Sequence, residues 1–439
     1  MATDFHKGVQ SRPDFLDSVV PRKTHPFAVT LLTGGIDGHY VFGLATSLLS
    51  KGVTLDVIGS DEVDLPEFHN RPDVNFLNLR GSLQSNVSFS KKLLRVSKYY
   101  ARLIRYAATA RPRVFHILWN NKFEVIDRTL LMLFYRLMNK KIVFTAHNVN
   151  QGRRDSHDTW LNRLTLQIQY RLSHHIFVHT DKMKRELIDE FSVEDVRVTV
   201  IPYGINNAVP NTQLTPADAK KRLGLHDHAK TLLFFGRITP YKGLEHLVSV
   251  FLRVFSRRDD YRLIIAGKPD RCEDYWRTIR NEIHEDVQGG KIILKPEFIA
   301  DDEIEVFFKA ADVLVLPYKE IFQSGILFLG QSFGLPVLAA DVGSFKDEIV
   351  EGKTGSIFKP EDPADLARSI EQYFASDLFT GLTNRRRDIS SYANERHSWD
   401  TVGQMTMSVY AGLLQLPLPE KVLKSDVSSS ISLDVRVPP

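Results

Sequence analysis

The chain has 439 residues and a single cysteine, Cys272. No disulfide framework can form within it, and no cysteine–histidine grouping has zinc spacing. A reducing compartment is the expectation. Long apolar runs are also missing. The longest, Leu130 to Met138, is far short of the ~20 residues a membrane-spanning helix needs. The first residues, MATDFHKGVQSRPDF, lack the apolar core of a signal peptide. A cytoplasmic protein with no crossing segment is therefore expected. Repeats of solenoid length are absent, as is any basic and aromatic array of a nucleic-acid-binding type. The net charge is only +4. It suits anionic small molecules or an anionic lipid surface, and no nucleic acid partner is expected.

What is present is globular in kind, with 43% apolar and 25% charged residues. The length exceeds one ordinary core, so two domains are expected. Short, nearly continuous apolar runs alternate with helical patterns. They are PFAVTLLTGG, VTLDVIGS, VNFLNL, RVFHILW, KIVFTAH, HHIFVHT and VRVTVIPYG, then TLLFFGRI, YRLIIAGK, KIILKPEF, ADVLVLPY, PVLAAD and GSIFK. Such runs read as parallel strands buried on both faces, and the alternation reads as two doubly wound α/β domains. A segment broken by Pro202, Gly204, Pro210 and Pro216 separates them. The expected organisation is an N-terminal extension over 1–26, a first Rossmann-like domain over 27–205 and a second over 206–392. A terminal amphipathic helix over 393–416 and a disordered tail over 417–439 complete it.

Candidate chemistry lies where strands end. In FFGRITPYKGLEHLV, Arg237 and Lys242 follow a strand in a loop before a helix. Ligands of open α/β sheets bind beyond strand carboxyl ends, and two such cations can grip a diphosphate; an ordinary solvated loop has the same composition. In LPYKEIFQSGILFLGQ, the residues Gln323, Ser324, Gly325 and Ile326 lead into a helix whose free N–H groups can face an anion; a plain N-cap serine fits Ser324 equally well. Gly34, Gly35 and Gly38 follow the first strand without forming GxGxxG, and allow either close approach of a ligand or a tight turn. His147 stands just past a strand end, with Arg153 and Arg154 behind it. It can donate to a sugar hydroxyl, move a proton, or serve only structure. His116, within a buried-looking strand, reads as structural.

Taken together, FGRITPYKG, LIIAGK, ADVLVLPY, SFGLPVLAADVGS and EIVEGKTG, with TAHNV and HSW, resemble glycosyltransferase family 4 of the GT-B fold, from about Phe27 to Leu414. The resemblance implies two Rossmann-like domains facing a cleft, with a final helix that crosses back onto the first. It implies a nucleotide-diphosphate sugar donor and a sugar or lipid-linked acceptor, with no cofactor and no essential metal. Arg237 and Lys242 match the pair that neutralises the diphosphate. Ser324, Gly325 and Ile326 match the helix N-terminus that holds the distal phosphate. Gly35 matches the loop near the reacting sugar, and His147 the histidine that contacts it. Glu297, Phe298 and Ile299 match the turn that receives the base. The sequence departs from the family at its paired glutamates, whose positions hold Ile321 and Leu329. Glu320 lies one residue off the first, and Gln323 is a candidate substitute. Retention, hexosyl transfer and a role in polysaccharide or glycolipid assembly are family expectations. The alternatives are a sugar phosphorylase, a nucleotide-sugar epimerase, or a catalytically silent sugar- or membrane-binding relative.

One helix stands apart. In KKLLRVSKYYARLIRYAATARPR, Lys91, Arg95, Lys98, Arg102 and Arg105 share one helical face, and no acid interrupts Lys91 to Arg113. Leu93, Val96, Tyr100, Leu103 and Ala107 form an apolar stripe. Such a helix can lie on an anionic bilayer, or it can pack on a sheet with its cations solvated.

Overall fold

A strand covered on both faces needs apolar side chains at nearly every position, and each apolar run read from the sequence forms one. The computed structural model describes residues 27–418, apart from 36, 83–88, 122, 155–157 and 206–208. The expected N-terminal extension and the tail from 419 onward lie outside the described residues. The first sheet contains β1 (Ala28–Leu32), β2 (Thr54–Gly59), β3 (Val74–Asn78), β4 (Val114–Ile117), β5 (Lys141–Thr145), β6 (His175–Val178) and β7 (Val198–Val200). All pairs are parallel and the order is β3-β2-β1-β4-β5-β6-β7. The second contains β8 (Lys230–Phe235), β9 (Tyr261–Ala266), β10 (Ile292–Lys295), β11 (Val313–Leu316), β12 (Val337–Ala340) and β13 (Gly355–Phe358), also parallel, in the order β10-β9-β8-β11-β12-β13. This is the GT-B architecture of two doubly wound domains. The strand order reverses between β1 and β4 and again between β8 and β11. Crevices open beyond the carboxyl ends at those two points.

Seven helices matter for the site: α1 (Gly38–Ser50), α2 (Phe89–Thr109), α3 (Trp160–Leu172), α4 (Asp301–Ala310), α5 (Gly325–Ser332), α6 (Leu382–Arg396) and α7 (Trp399–Leu414). The single terminal helix expected from Ala393 is two helices. Ala393, in the last turn of α6, lies within the core of the second sheet, and Ser398 starts a new helix by accepting from the Asp400 N–H at 3.1 Å. α7 packs against α1, and Val402, Met407 and Tyr410 complete the core of the first sheet. Tyr410 also reaches His116 Nδ1 at 2.6 Å, while His116 Nε2 meets Thr145 Oγ1 at 2.7 Å. His116 is thus fully satisfied inside the core.

The two chain crossings between the domains are bonded to each other. The Ile205 N–H donates to His397 O at 3.1 Å, and Trp399 Nε1–H donates to Ile205 O at 2.7 Å. The Trp399 ring lies against Gly43 and Gly204, where an added Cβ would come within 2.0 and 2.3 Å of its Cε2. Only glycine fits at either place.

α2 corrects the expected stripe. Tyr99, Leu103 and Ala107 are buried, whereas Leu93 is 52% exposed. Only the last three turns of α2 lie on the sheet, so the first turns carry their apolar residues outward.

Candidate functional site

The loop after β8 and the loop after β11 meet at the second switch point. Lys319 N–H donates to Tyr241 O at 2.8 Å, and a Cβ on Gly243 would strike Pro317 O at 2.0 Å. Gly236, at φ +98°, brings three candidate groups together. A Cβ there would sit 3.1 Å from Lys242 Nζ and 3.3 Å from Ile326 Cδ1. Lys242 is buried, and its ammonium lies 5.4 Å from the Tyr318 ring centre. Among the described residues it makes no ion pair. Burial first, and then the neighbouring Arg237 charge, lower it to about 7. Arg237 is exposed and held by Asp270 at 3.3 Å.

α5 begins beside them. Ser324 occupies its N-cap position with extended backbone, but its side chain makes no capping bond. The first N–H groups of α5 have no intrahelical partner. Just before it, Gln323 has both amide atoms buried without a hydrogen-bond partner. Thr239 Oγ1, Tyr318 Oη and Ser344 Oγ, from the neighbouring loops, are buried and unpartnered too. An unsatisfied buried polar atom costs on the order of 1–3 kcal/mol, so several at one strand-end crevice suit a polar ligand.

Phe298 is 76% exposed at the rim, and Glu297 is exposed and paired to Lys295 at 2.7 Å. Leu329 is buried in the core and Ile321 packs against it, so neither family-glutamate position carries a polar group. Glu320 is exposed.

At the first switch point, Gly35 has φ +73°, and a Cβ on it would meet Ser60 Oγ at 2.9 Å. The turn is pinned by Thr33 Oγ1, which accepts from Gly35 N–H at 3.1 Å, and by the Arg80 guanidinium, which donates to Gly34 O. Below it, His147 stacks flat on Trp119 at 4.2 Å and meets the edge of Tyr40 at 4.7 Å. Its Nε2 is buried and unpartnered. Burial pushes its imidazole well below the ordinary range. Asp37 caps α1 and its carboxyl is raised, mainly by burial.

Tyr203 bridges the two halves. Its ring centre lies 6.2 Å from that of His147 and 5.6 Å from Phe328 of α5, and a Cβ on Gly325 would be 3.6 Å from its hydroxyl. His39 of α1 also pairs with Asp301 of α4 across the cleft at 3.3 Å. The remaining candidates are elsewhere. Arg153 is engaged by Glu190 at 2.8 Å and Glu186 at 3.6 Å, so its charge is already matched. Lys98, Arg102 and Arg105 are exposed on α2, and Arg95 is half-buried. The side chains of Lys91 and Arg154 lie outside the described residues.

Sequence reasoning missed Tyr40, Trp119, His179 and Tyr203. His179 had a signal: KIVFTAH and HHIFVHT both run from an apolar strand into a histidine. Tyr203 lay in a segment read only as a boundary. No group of three or more His, Cys, Asp or Glu residues among the described residues could hold a metal, and no described helix is long and apolar enough to cross a membrane.

Comparison with known proteins agrees with this fold. Residues 34–209 match the profile of Glycosyltransferase Family 4, and residues 217–396 that of Glycosyl transferases group 1. An uncharacterized glycosyltransferase of Methanocaldococcus jannaschii is 24% identical over 395 residues, covering 86% of this chain and 94% of its own. Among solved structures, sucrose-phosphate synthase from Thermosynechococcus elongatus superimposes with a TM-score of 0.70 at 18% identity, covering 89% of this chain and 99% of its own. Anabaena HepE in complex with UDP-glucose gives 0.67 at 14% identity, covering 88% and 99%.

Proposed function

Because this chain belongs to the family-4, group 1 glycosyltransferases of the GT-B fold, we propose that it moves a hexosyl unit from a nucleoside-diphosphate sugar to a sugar or lipid-linked acceptor, with retention. The observation that carries the reading is Lys242: a buried ammonium without an acidic partner among the described residues, beside Arg237 and the α5 N-terminus, at a strand-order reversal. A buried cation left unpaired suits an anion that arrives. The donor occupies the second domain, with its base near Glu297 and Phe298, its diphosphate on Arg237, Lys242 and Ser324–Ile326, and Gln323 near the ribose. That HepE was solved with UDP-glucose makes a uridine donor the first to try. The acceptor sits on the first domain, where Gly35 and His147 lie beside the donor's reacting sugar.

In this reading the anomeric C–O bond to the diphosphate breaks while the acceptor oxygen attacks the same face, and the acceptor proton passes to the departing phosphate oxygen. Positive charge fixed before the reaction stabilises the negative charge growing on that oxygen. Arg237, Lys242 and the helix N-terminus supply it, so the reading requires no metal, and turnover should persist in EDTA. The test is a thermal-shift and hydrolysis screen of UDP-, GDP-, ADP- and TDP-sugars, with Lys242→Ala beside the wild type. A stabilising, slowly hydrolysed donor whose effect disappears in the variant supports the reading. Absence of any nucleotide response would return the chain to the silent-relative reading, which Leu329 in place of a glutamate favours; product analysis separates phosphorylase and epimerase.

The acceptor side of the reading is a lipid surface. Leu93, Leu94 and Ile104 of α2 are exposed together with Leu130 (66%), Leu137 (70%) and Trp160 (75%). These elements adjoin: Tyr100 stacks on Phe123 at 6.0 Å, and Arg128 donates to Asn162 of α3 at 2.9 Å. Lys98, Arg102 and Arg105 edge the same face. Apolar side chains beside cations match an anionic bilayer, so the protein is read as peripheral on the cytoplasmic leaflet.

A further inference from the structure

His147 has one ring nitrogen occupied and one bare, and the neighbouring residues decide which is which. His179, at the end of β6, places Nδ1 3.3 Å from Ile201 O and Nε2 3.1 Å from His147 Nδ1. A backbone carbonyl can only accept, so the hydrogen of His179 sits on Nδ1. A neutral imidazole has only one such hydrogen, so His179 Nε2 is a lone pair. His147 must then donate to it from Nδ1. His147 Nε2 is left as a second lone pair, buried and without a partner. Burial holds both rings neutral at ordinary pH, lowering His179 to about 4 and His147 well below its usual range. Trp119 and Tyr40 clamp the His147 ring, and Tyr203 packs on His179 with centres 5.0 Å apart.

We propose that His179 is a positioning residue that fixes the tautomer of His147, so that His147 Nε2 accepts a hydrogen bond from a hydroxyl of the bound sugar. The proposal deepens the transferase reading and rests on it for the identity of the ligand. It differs from donation to a sugar hydroxyl, one of the roles the sequence left open for His147. A group that only accepts discriminates. It rewards a donor sugar with a hydroxyl at that position, and it repels a carboxylate or phosphate oxygen, which brings no hydrogen. A deoxy sugar would leave the lone pair buried and unmatched.

The test reads the tautomer directly in the full chain, by long-range proton–nitrogen correlation with histidine-selective 15N labelling, His147→Asn and His179→Gln serving for assignment. The wild type should show His147 protonated at Nδ1 and bare at Nε2, with or without donor. His179→Phe keeps a ring and removes the acceptor, so the His147 tautomer should become mixed and kcat fall about tenfold or more, with the KM for donor changing less. His179→Gln can place an amide oxygen where Nε2 stood, and should restore both. Finding His147 protonated at Nε2 in the wild type overturns the proposal, as does a His179→Phe protein with unchanged tautomer and turnover. If no donor is ever turned over, the transferase reading fails, while the wild-type tautomer still decides this one.

Discussion

A lysine buried without a counter-ion works against the fold that contains it. An unfolded Lys242 keeps its proton to about its usual 10.5, while the folded protein gives it up near 7. Between those values the unfolded chain holds more protons, so stability rises with pH across the window and levels off above it. Lys242→Met removes this contribution. The variant should melt higher than the wild type at pH 7, with the difference shrinking towards pH 10; a pH-independent difference would count against the buried charge. Donor binding has the opposite preference. A diphosphate favours the charged ammonium, so binding above pH 7 takes up a proton. Nucleotide affinity should fall with rising pH in the wild type and lose that dependence in Lys242→Met, as calorimetry in buffers of different ionisation enthalpy would show. Gln323 is the uncharged counterpart. Gln323→Leu deletes two unmatched polar atoms, so the free protein should be no less stable, while nucleotide affinity drops about five- to tenfold, about one lost hydrogen bond.

At the scale of elements, the sheets were the most legible part. The central strands are wrapped on both faces, so burial wrote itself as an apolar run, as in TLLFFGRI for β8 and ADVLVLPY for β11. The loop of Arg237 and Lys242 could be singled out only through the order of motifs from FGRITPYKG to EIVEGKTG, because an ordinary solvated loop has the same composition. The helices were less so. Nothing in the periodicity of ERHSWDTVG separates α6 from α7, because His397 and Trp399 are fixed by Tyr203 O and Ile205 O, which are remote in sequence. The outward face of α2 was obscured for the same reason: its period is helical throughout, and only the neighbouring layer decides which turns are covered. The bare lone pair of His147 needs three residues from three strand ends, which no local pattern holds. Trp399→Ala should cost on the order of 3–5 kcal/mol by emptying the space between Gly43 and Gly204, measurable by chemical denaturation. On the outer face, Leu130→Glu with Trp160→Glu should abolish flotation with anionic vesicles while leaving the melting temperature within a degree or two, since both side chains are already exposed; unchanged flotation would remove the lipid surface from the reading.

Across the whole molecule, the first core is completed by an element from the far end of the chain. The core under the first sheet is closed by α7, and the bond from Trp399 to Ile205 joins positions 194 residues apart. A ribosome adding about 5–20 residues each second therefore makes nearly all of the first domain and then leaves it unfinished for roughly 10–40 s. During that interval the side of α1 that will meet α7 stands open to water, while the second sheet can collapse on strands already made. The domain that is born first is the one completed last, so its nascent form is a natural client for a chaperone that shields apolar helices.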